Sequence, residues 1–457
     1  MTINAAASFS KVTAMKVSAF VSCLFAAATI AAAAGANPVL MISIDGLRPA
    51  DVLDAQKRGL KVPNLRAFLA ESAYATGVRN VVPTVTYPNH TTLVTGVAPA
   101  LHGIANNVTF DPYRKNLEGW YWYSSDIKVP TLWDEVHAKH QVTASVAWPV
   151  SAGNRSIDYD LPEYWRALTM DDLKLIAALS TPGLIDTLQQ DTGIPLAAAM
   201  QEDAAGDAVR ARYSEALFER VHPEFMTVHL ASLDAMQHEE GPGTPQAHAT
   251  LEAIDTMVGS LIARARKAEP DVDIAIVSDH GFAAVDKEVN LPAAFAAVGL
   301  IGVDPVKHKI AGWDAMPWNA GGSAPIVLAH PEDQAVQAKV ADLLAKLAAD
   351  PSSGIAKVID RRGIEALGGA KEASFWVDFK IGYYGGDNLD GALVTPADLK
   401  GHHGYLNDHP EMRATFMIAG PGIKKRALGE IDMRDIAPTL AKLMDVPLPD
   451  ATGKPLF

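Results

Sequence analysis

The sequence predicts an α/β protein in which helices cover both faces of a doubly wound, mainly parallel β-sheet. Short apolar runs alternate along the chain with segments of helical periodicity, a pattern typical of such sheets. The runs are continuously apolar, as expected for strands that are buried on both faces. Polar residues follow directly after several of the runs, which predicts a ligand-binding edge at the carboxyl ends of the strands.

Four apolar runs predict buried strands, at residues 39–44, 225–230, 273–278 and 415–419. Helical periodicity is clear over residues 248–268 and 332–349. Two stretches, about 154–220 and about 299–400, interrupt this alternation. We predict that both are lid or cap elements inserted into one main domain that spans residues 37–457.

The amino-terminal segment, residues 1–36, predicts a cleaved signal peptide. A positive start with Lys11 and Lys16 precedes an apolar run over residues 17–34, and small residues follow that run. A run of this length is also compatible with a retained membrane anchor, but its alanine-rich composition favours cleavage. The sequence therefore predicts an exported protein, periplasmic or secreted, with no stable membrane partner after cleavage.

The composition limits the class of partner. The chain has 457 residues and a formal net charge of −14, and its longest basic run is the tripeptide at 424–426. This argues against duplex nucleic acid as a partner, because duplex binding depends on neutralising many phosphates. The only cysteine, Cys23, lies in the predicted signal peptide, so we expect neither a disulfide nor thiol chemistry in the mature chain.

Side chains that suit metal ions follow three of the predicted strands and occupy one glycine-flanked turn. They are Asp45, Asp234, His238, Asp279, His280 and His403. Each has a structural explanation when taken alone, such as a helix cap for Asp45, but we expect the set to converge at one sheet edge. Mixed oxygen and nitrogen ligands suit Zn²⁺ better than Ca²⁺. Six ligands exceed one tetrahedral site, so the sequence predicts two ions about 4 Å apart.

The segment at residues 83–90 provides a candidate nucleophile. Pro88 suits the first turn of a helix, which places Thr86 close to a helix N-terminus, where free N–H groups favour negative charge. An alcohol there that is bound to a metal can lose its proton near neutral pH and attack phosphorus. Alone, the segment is also explained as a simple helix entry.

Together these motifs resemble the nucleotide pyrophosphatase/phosphodiesterase (type I phosphodiesterase) family of the alkaline phosphatase superfamily. The matching segments occur in the family's order: Ile44-Asp45-Gly46, Thr86-Tyr87-Pro88-Asn89-His90, Thr95-Gly96, His102-Gly103-Ile104, Asn106-Asn107, Trp148-Pro149, Asp234 with His238, Ser278-Asp279-His280-Gly281-Phe282, His403-Gly404-Tyr405 and Ala419-Gly420-Pro421. The resemblance implies an alkaline-phosphatase-like fold and hydrolysis of phosphodiester or phosphoanhydride bonds in small molecules, nucleotides among them.

The resemblance also implies roles for individual residues and two zinc ions per chain. One zinc would be held by Asp45, Thr86, Asp279 and His280, and the other by Asp234, His238 and His403. Thr86 would attack the phosphodiester in line and form a phospho-threonine intermediate, which water then hydrolyses. Asn107 would donate a hydrogen bond to a non-bridging phosphoryl oxygen. Such charge neutralisation agrees with the demands of phosphoryl transfer.

The candidate substrate-binding residues depart from the family pattern. Nucleotide-cleaving members are expected to carry an aromatic residue five positions before Asp234, where this sequence has His229. Tyr87 follows the nucleophile and can stack on a base, and Tyr113 and Trp122 belong to an aromatic stretch that can line a pocket or form lid core. The identity of the substrate therefore stays open.

Two alternative functions also stay open. One is a phosphomonoesterase or phosphonate hydrolase on the same scaffold, and the other is a periplasmic protein that binds a metal or a ligand without catalysis. A sulfatase would need a Cys/Ser-x-Pro-x-Arg motif, and a true alkaline phosphatase would resemble Asp-Ser-Ala at the nucleophile. The sequence has neither pattern at the Thr86 motif.

Overall fold

The computed structural model describes residues 36–116 and 118–457. Residues 1–35 of the predicted signal peptide therefore lie outside the described residues. Within the described ranges, no helix combines the length and the apolar character needed to cross a membrane.

The secondary structure alternates between strands and helices over most of the described chain. In chain order the strands are β1 (Val39–Ile44), β2 (Ala73–Arg79), β3 (Thr143–Val146), β4 (Tyr159–Leu161), β5 (Phe225–Leu230), β6 (Asp273–Val277), β7 (Ala283–Ala284), β8 (Lys287–Val289), β9 (Ile301–Asp304), β10 (Lys309–Trp313), β11 (Ala315–Pro317), β12 (Ser323–Leu328), β13 (Ile355–Asp360), β14 (Ala373–Phe379), β15 (Tyr383–Gly385), β16 (Val394–Pro396), β17 (Gly401–His402), β18 (Phe416–Ala419) and β19 (Arg426–Asp432). The helices are α1 (Pro49–Leu53), α2 (Pro63–Glu71), α3 (Thr86–Thr95), α4 (Pro99–His102), α5 (Leu132–Ala138), α6 (Asp172–Leu179), α7 (Leu184–Thr192), α8 (Ala204–Val221), α9 (Ser232–Glu240), α10 (Pro245–Ala268), α11 (Leu291–Ala297), α12 (Gln334–Ala349), α13 (Arg361–Leu367) and α14 (Ile436–Leu443).

The main sheet has the strand order β19-β2-β18-β6-β1-β5-β3-β4. β18 runs antiparallel to both of its neighbours, and the other pairings are parallel. β1 lies near the middle, paired with β5 on one side and β6 on the other. The carboxyl ends of these three strands therefore meet at the same edge of the sheet.

Successive residues of β1 pack into separate hydrophobic cores on the two faces of the sheet. Leu40 and Ile42 belong to the core that α2, α8 and α10 cover, whereas Val39 and Met41 belong to the core beneath α3, α5 and α14. Side chains of a strand alternate between faces, so a strand that is covered on both sides must be apolar throughout. This explains the unbroken apolar run and confirms the predicted fold class.

A second region, within residues 299–400, contains a four-stranded antiparallel sheet of order β11-β12-β14-β13. Helices α12 and α13 pack against this sheet. After the region ends, β17 pairs with β7, the short strand that follows β6. The pairing returns the chain, and the histidine after β17, to the carboxyl edge of the main sheet.

The predicted strands at residues 39–44 and 225–230 are found with those bounds, and β6 and β18 each differ by one residue. The predicted helices correspond to α10 and α12. In the stretch 154–220, β4 pairs with β3 at the edge of the main sheet and α8 packs against β5 and α10. A lid function for either inserted stretch stays a prediction.

Candidate active site

Three aspartates lie together at the carboxyl edge of the main sheet. Asp45 follows β1 directly, and Asp279 lies two residues beyond the end of β6. Asp234 lies in the first turn of α9, the helix that follows β5. The adjacency of the three strands thus places three carboxylates in one small volume.

The turn after β1 depends on a glycine. Gly46 has a φ of +68°, and a Cβ atom at this position would lie 2.9 Å from the Gln237 side chain and 3.1 Å from Phe282. Its backbone N–H donates to Asp279 Oδ1 at 3.2 Å. The turn therefore holds Asp45 and Asp279 side by side in a way that a larger residue would disturb.

The first group of side chains surrounds His280. Its Nε2 lies 3.3 Å from Asp45 Oδ1 and 2.9 Å from Asp279 Oδ2. Thr86 Oγ1 is 3.4 Å from the same nitrogen. Four predicted site residues from three distant parts of the sequence thus converge on one point.

The second group surrounds Asp234. Its Oδ2 lies 3.4 Å from Nε2 of His238, one turn later on α9, and its Oδ1 lies 3.5 Å from Nε2 of His403. The two groups adjoin, because the rings of His280 and His403 stack with their centroids 3.6 Å apart. Asp234 Oδ1 is 3.9 Å from His280 Nε2.

The three histidines share one orientation. In each, Nδ1 lies within hydrogen-bond distance of a backbone carbonyl oxygen: Gly401 at 3.0 Å for His238, Thr84 at 3.0 Å for His403 and Gly281 at 3.1 Å for His280. A carbonyl oxygen can only accept, so Nδ1 carries a proton and Nε2 is the nitrogen that faces the aspartates. Metal-binding histidines are oriented in this way by their outer hydrogen bonds.

Each aspartate also presents a buried oxygen that finds no hydrogen-bond partner among the described residues. These atoms are Asp45 Oδ1, Asp234 Oδ1 and Asp279 Oδ2. Burial, followed by the charges of Asp279 and Asp234, raises the pKa of Asp45 well above its ordinary value. Burial alone would lower the pKa of His280, but Asp279 and Asp45 outweigh it and raise that pKa to about 9. A bound cation would take the place of the proton on His280 Nε2 and neutralise these carboxylates, and the mixture of oxygen and nitrogen donors suits zinc.

Thr86 is the first residue of α3, so the helix begins at the candidate nucleophile rather than after it. The Asn89 side chain holds the preceding loop, because it accepts from the N–H of Val81 at 3.1 Å and donates to the carbonyl of Pro83 at 3.0 Å. Only 8% of Thr86 is exposed. Its hydroxyl therefore lies at a helix N-terminus, largely shielded from water, beside the first group.

The Asn107 side chain contacts the backbone of Tyr87, the residue that follows the candidate nucleophile. Its Oδ1 accepts from the N–H of Tyr87 at 2.8 Å, and its own N–H donates to Asn106 Oδ1 at 2.8 Å. Because the carboxamide oxygen is occupied, the amino group is the end left to donate to a ligand near Thr86.

The predicted aromatic contacts occupy two different environments. Tyr87 is 1% exposed: its hydroxyl donates to Glu163 Oε1 at 2.7 Å, and its ring packs edge-on at 5.2 Å from Trp120 and 5.9 Å from Trp122. Trp122 is fully buried, whereas Tyr113 is exposed on the surface. In this conformation Tyr87 and Trp122 are packed in the core beside the site, and contact of these three residues with substrate stays a prediction.

Both ring nitrogens of His229 lie within hydrogen-bond distance of carboxylates in the protein. Nε2 lies 3.0 Å from Asp45 Oδ2, and Nδ1 lies 2.9 Å from Glu163 Oε2. Although burial lowers the pKa of His229, its hydrogen bonds to these two carboxylates raise it well above the ordinary value. Sequence reasoning missed Glu163, which lies 66 residues from His229 and belongs to no motif.

His90 is a second residue that sequence reasoning left without a role. Its Nδ1 donates to the carbonyl of Thr86 at 2.9 Å and lies 3.6 Å from Asp279 Oδ2, while Nε2 is 2.8 Å from Ser43 Oγ. Burial lowers the pKa of His90 to about 4. The spacing of four residues from Thr86 on one helix is the signal that could have identified it.

Comparison with known families gives one match that covers most of the chain. The model of the type I phosphodiesterase / nucleotide pyrophosphatase family matches residues 39–406. Among curated proteins, the chain is 24% identical over 446 residues to an uncharacterized pyrophosphatase/phosphodiesterase of Schizosaccharomyces pombe, covering 91% of this chain and 79% of that one. It is 24% identical to ectonucleotide pyrophosphatase/phosphodiesterase family member 3 of Rattus norvegicus, covering 86% of this chain and 40% of the relative. For a human bis(5'-adenosyl)-triphosphatase the identity is 25%, covering 59% of this chain and 53% of the relative.

Solved structures show the same fold. Human ectonucleotide pyrophosphatase/phosphodiesterase 5 aligns with a TM-score of 0.63 and 20% identity, covering 91% of this chain and 97% of that one. An inactive form of the murine protein, in complex with AMP, aligns with the same TM-score and 19% identity, covering 92% and 97%.

Proposed function

Since the chain belongs to the type I phosphodiesterase / nucleotide pyrophosphatase family, we propose that it is a metal-dependent phosphodiesterase that uses Thr86 as its nucleophile and two Zn²⁺ ions as cofactors. The family supports hydrolysis of phosphodiester or pyrophosphate bonds. The observation that carries the proposal is the convergence of six ligand side chains and one hydroxyl at the carboxyl edge of the sheet.

The two groups of side chains divide the metal ligands between them. Asp45, Thr86, Asp279 and His280 would hold one ion, and Asp234, His238 and His403 the other. Bound zinc would supply positive charge that lowers the pKa of the Thr86 hydroxyl and neutralises the phosphoryl oxygens. The unpartnered carboxylate oxygens and the Nδ1-to-carbonyl hydrogen bonds support this assignment.

The chain's own residues prepare the attack. The Thr86 oxygen lies at the N-terminus of α3, where the helix dipole favours negative charge on the attacking oxygen and on the phosphoryl group. In-line attack would form a bond from Thr86 Oγ1 to phosphorus and break the bond to the leaving alcohol. Water then attacks the phosphorus, breaks its bond to Thr86 Oγ1 and releases the phosphomonoester, which restores the Thr86 hydroxyl.

Asn107 supports a diester rather than a monoester substrate. Its amino group is a neutral donor for one phosphoryl oxygen, whereas a monoester carries an additional negative charge. Among the described residues, no lysine or arginine forms an ion pair with Asp45, Asp234 or Asp279. A monoester would therefore bring a further negative charge next to carboxylates that no lysine or arginine of the described chain pairs with.

A side-by-side assay of three p-nitrophenyl substrates tests the proposal. We expect a higher kcat/KM for bis-p-nitrophenyl phosphate, or for the p-nitrophenyl ester of a nucleotide 5′-monophosphate, than for p-nitrophenyl phosphate. A clear preference for the monoester would overturn the diesterase assignment while leaving the metal site and Thr86 in place.

We also propose that the protein acts outside the cytoplasm, in the periplasm or after secretion. The proposal is supported by the predicted signal peptide and by similarity to a protein named as an ectonucleotide pyrophosphatase. Sequencing the amino terminus of the protein from a cell fraction outside the cytoplasm tests it. A mature protein that begins near residue 37 is expected, and an uncleaved cytoplasmic chain would contradict it.

A further inference from the structure

A cavity of about 490 Å³ lies beside the candidate active site. His229 forms part of its wall and also lies 3.0 Å from Asp45 Oδ2. Ala231, which also lines it, is three residues before Asp234. The cavity therefore adjoins the side chains that surround Asp45 and Asp234.

Most of the cavity wall is apolar and comes from the stretch 154–220. The side chains that form it include Leu161, Trp165, Met170, Ile176, Leu196 and Met200. Leu168 and Met170, which also line the cavity, are 61% and 66% exposed. Large apolar residues left exposed around an opening indicate a binding surface, and methionine side chains adapt to ligands of varied shape.

The charged groups of the wall are mostly engaged with the protein. Glu163 is hydrogen-bonded to His229 and to Tyr87, and Arg210 is ion-paired with Asp207. Asp172 is buried and accepts from a backbone N–H. The remaining charged group is Glu202, whose pKa burial raises above its ordinary value. Because His229 and Arg210 already pair with carboxylates, the described residues of the wall offer no unpaired cation to a second anionic group such as a further phosphate.

A nucleobase stacked on Tyr87 does not fit this arrangement. The ring of Tyr87 is 1% exposed and packs against Trp120 and Trp122, and its hydroxyl is bonded to Glu163. His229 occupies the position of the expected second aromatic residue, and both of its nitrogens are bonded to carboxylates. The open volume is lined by Glu163 and His229 but not by Tyr87.

We infer that this cavity is a subsite for an apolar, non-anionic substituent of the phosphodiester, an alkyl or aryl ester group rather than a nucleoside. The inference rests on the diesterase function proposed above. A volume of about 490 Å³ is within the usual range for small-molecule sites and can take a ring or a medium-length chain.

The test uses zinc-loaded protein and diesters that share p-nitrophenolate as the leaving group. The second ester group is methyl, phenyl, hexyl or the 5′-position of thymidine. Relative to the methyl ester, we expect kcat/KM to be about tenfold higher or more for the phenyl and hexyl esters, because several carbons leave water. We also expect the thymidine ester to be poorer than the phenyl ester.

The outcomes separate the two proposals. Equal rates on all four diesters, or a clear preference for thymidine, overturn the subsite but leave the diesterase function intact. Failure to cleave any diester, with cleavage of p-nitrophenyl phosphate, overturns the diesterase function itself.

Variants of the cavity wall locate the subsite. Ala199→Trp fills the cavity, and Met170→Ala removes an exposed apolar side chain at its mouth and is not expected to affect folding. Both should lower the ratio of kcat/KM for the phenyl ester to kcat/KM for the methyl ester. We expect Ala199→Trp to bring this ratio close to one and Met170→Ala to lower it a few-fold. Leu175→Ala, on α6 outside the cavity lining, is the matched control and should keep the wild-type ratio. An unchanged ratio in folded Ala199→Trp and Met170→Ala would assign the preference to another surface and overturn the inference.

Discussion

Strand β6 begins with one buried aspartate and is followed by another, and the two behave in opposite ways. Asp273 and Asp279 are both 0% exposed. Burial raises the pKa of Asp273 to about 7, because only Asn37 donates to its side chain. At the other end, burial also raises the pKa of Asp279, but His280 and His90 outweigh it and the pKa falls below its ordinary value. Two buried aspartates thus behave differently according to their neighbours: Asp273 keeps its proton up to about pH 7, whereas Asp279 is a carboxylate.

The neighbours differ because the two edges of the sheet differ. At the carboxyl edge, the N–H of Gly46 after β1, the ring of His280 after β6 and the ring of His90 on α3 lie close to Asp279. At the amino edge, Asp273 lies against the backbone of Gly420, and its Oδ1 has no hydrogen-bond partner among the described residues. The comparison indicates that only the carboxyl edge is built to hold charge, and the predictions below test that difference.

Metal removal should reveal the largest difference between the two edges, because only the carboxyl edge is proposed to bind ions. Dialysis against a chelator should abolish diester hydrolysis and lower Tm, because an ion that binds only the folded state stabilises it, and Zn²⁺ should restore both. An Asp273→Asn variant should respond in the same way as the wild type. Full activity in protein shown by elemental analysis to be free of metal would contradict a cation site at the carboxyl edge.

Thr86→Ala should remove the attacking oxygen while leaving the aspartates and histidines in place. We expect kcat for a diester to fall by roughly 10⁴-fold or more, with most of the zinc content retained. Thr86→Ser, which keeps a hydroxyl, is the matched control and should retain far more activity. A wild-type rate in Thr86→Ala would mean that water attacks the substrate directly.

Asn107→Ala should remove one neutral donor from the phosphoryl group. We expect a loss of about 10²–10³ in kcat, the usual cost of deleting one charge-stabilising donor. Asn388→Ala, an exposed asparagine elsewhere, is the control. If both variants hydrolyse the diester at the wild-type rate, Asn107 does not contact the reacting group.

His229→Asn should loosen Asp45 without removing a metal ligand. We expect zinc affinity to fall by about 10–100-fold, the usual cost of losing an outer partner of a ligand, as measured by competition with a chromophoric chelator. His330→Asn, an exposed histidine, should leave the affinity unchanged. Unaltered affinity in His229→Asn would show that Asp45 is held by other contacts.

Asp273→Asn should change the free energy of unfolding but not the activity, and its effect should be the smallest of those predicted here. A carboxyl whose pKa is raised in the folded state contributes stability below its unfolded pKa and loses it as pH rises through about 7. The wild type should therefore lose stability between about pH 4 and pH 8 relative to the variant, which we expect to be roughly 1 kcal/mol more stable at pH 8. Urea unfolding at both pH values measures the difference, and a variant that is less stable at pH 8 would contradict a raised pKa for Asp273.

The sequence predicted most of the framework, because the evidence for it is local. Apolar runs over residues 39–44 and 225–230 gave strands with those bounds, since burial on both faces demands such composition. The run at 415–419 gave β18, but its antiparallel direction depends on the path of the chain and not on the run itself. The convergence of Asp45, Asp234 and Asp279 followed from the rule that parallel strands end at one edge.

What the sequence determined by itself is the fold class, the strands near the site and the residues proposed as metal ligands and nucleophile. Each of these is carried by a short motif or a hydrophobic pattern. The tertiary structure alone decided how His229 is used, because its partner Glu163 lies 66 residues away and no local pattern links the two. It likewise packed Tyr87 away from solvent and opened a cavity on the other side of His229. Contacts between distant segments determine which side chains face water, so the proposed substrate cavity, unlike the proposed metal ligands, could be described only from the tertiary structure.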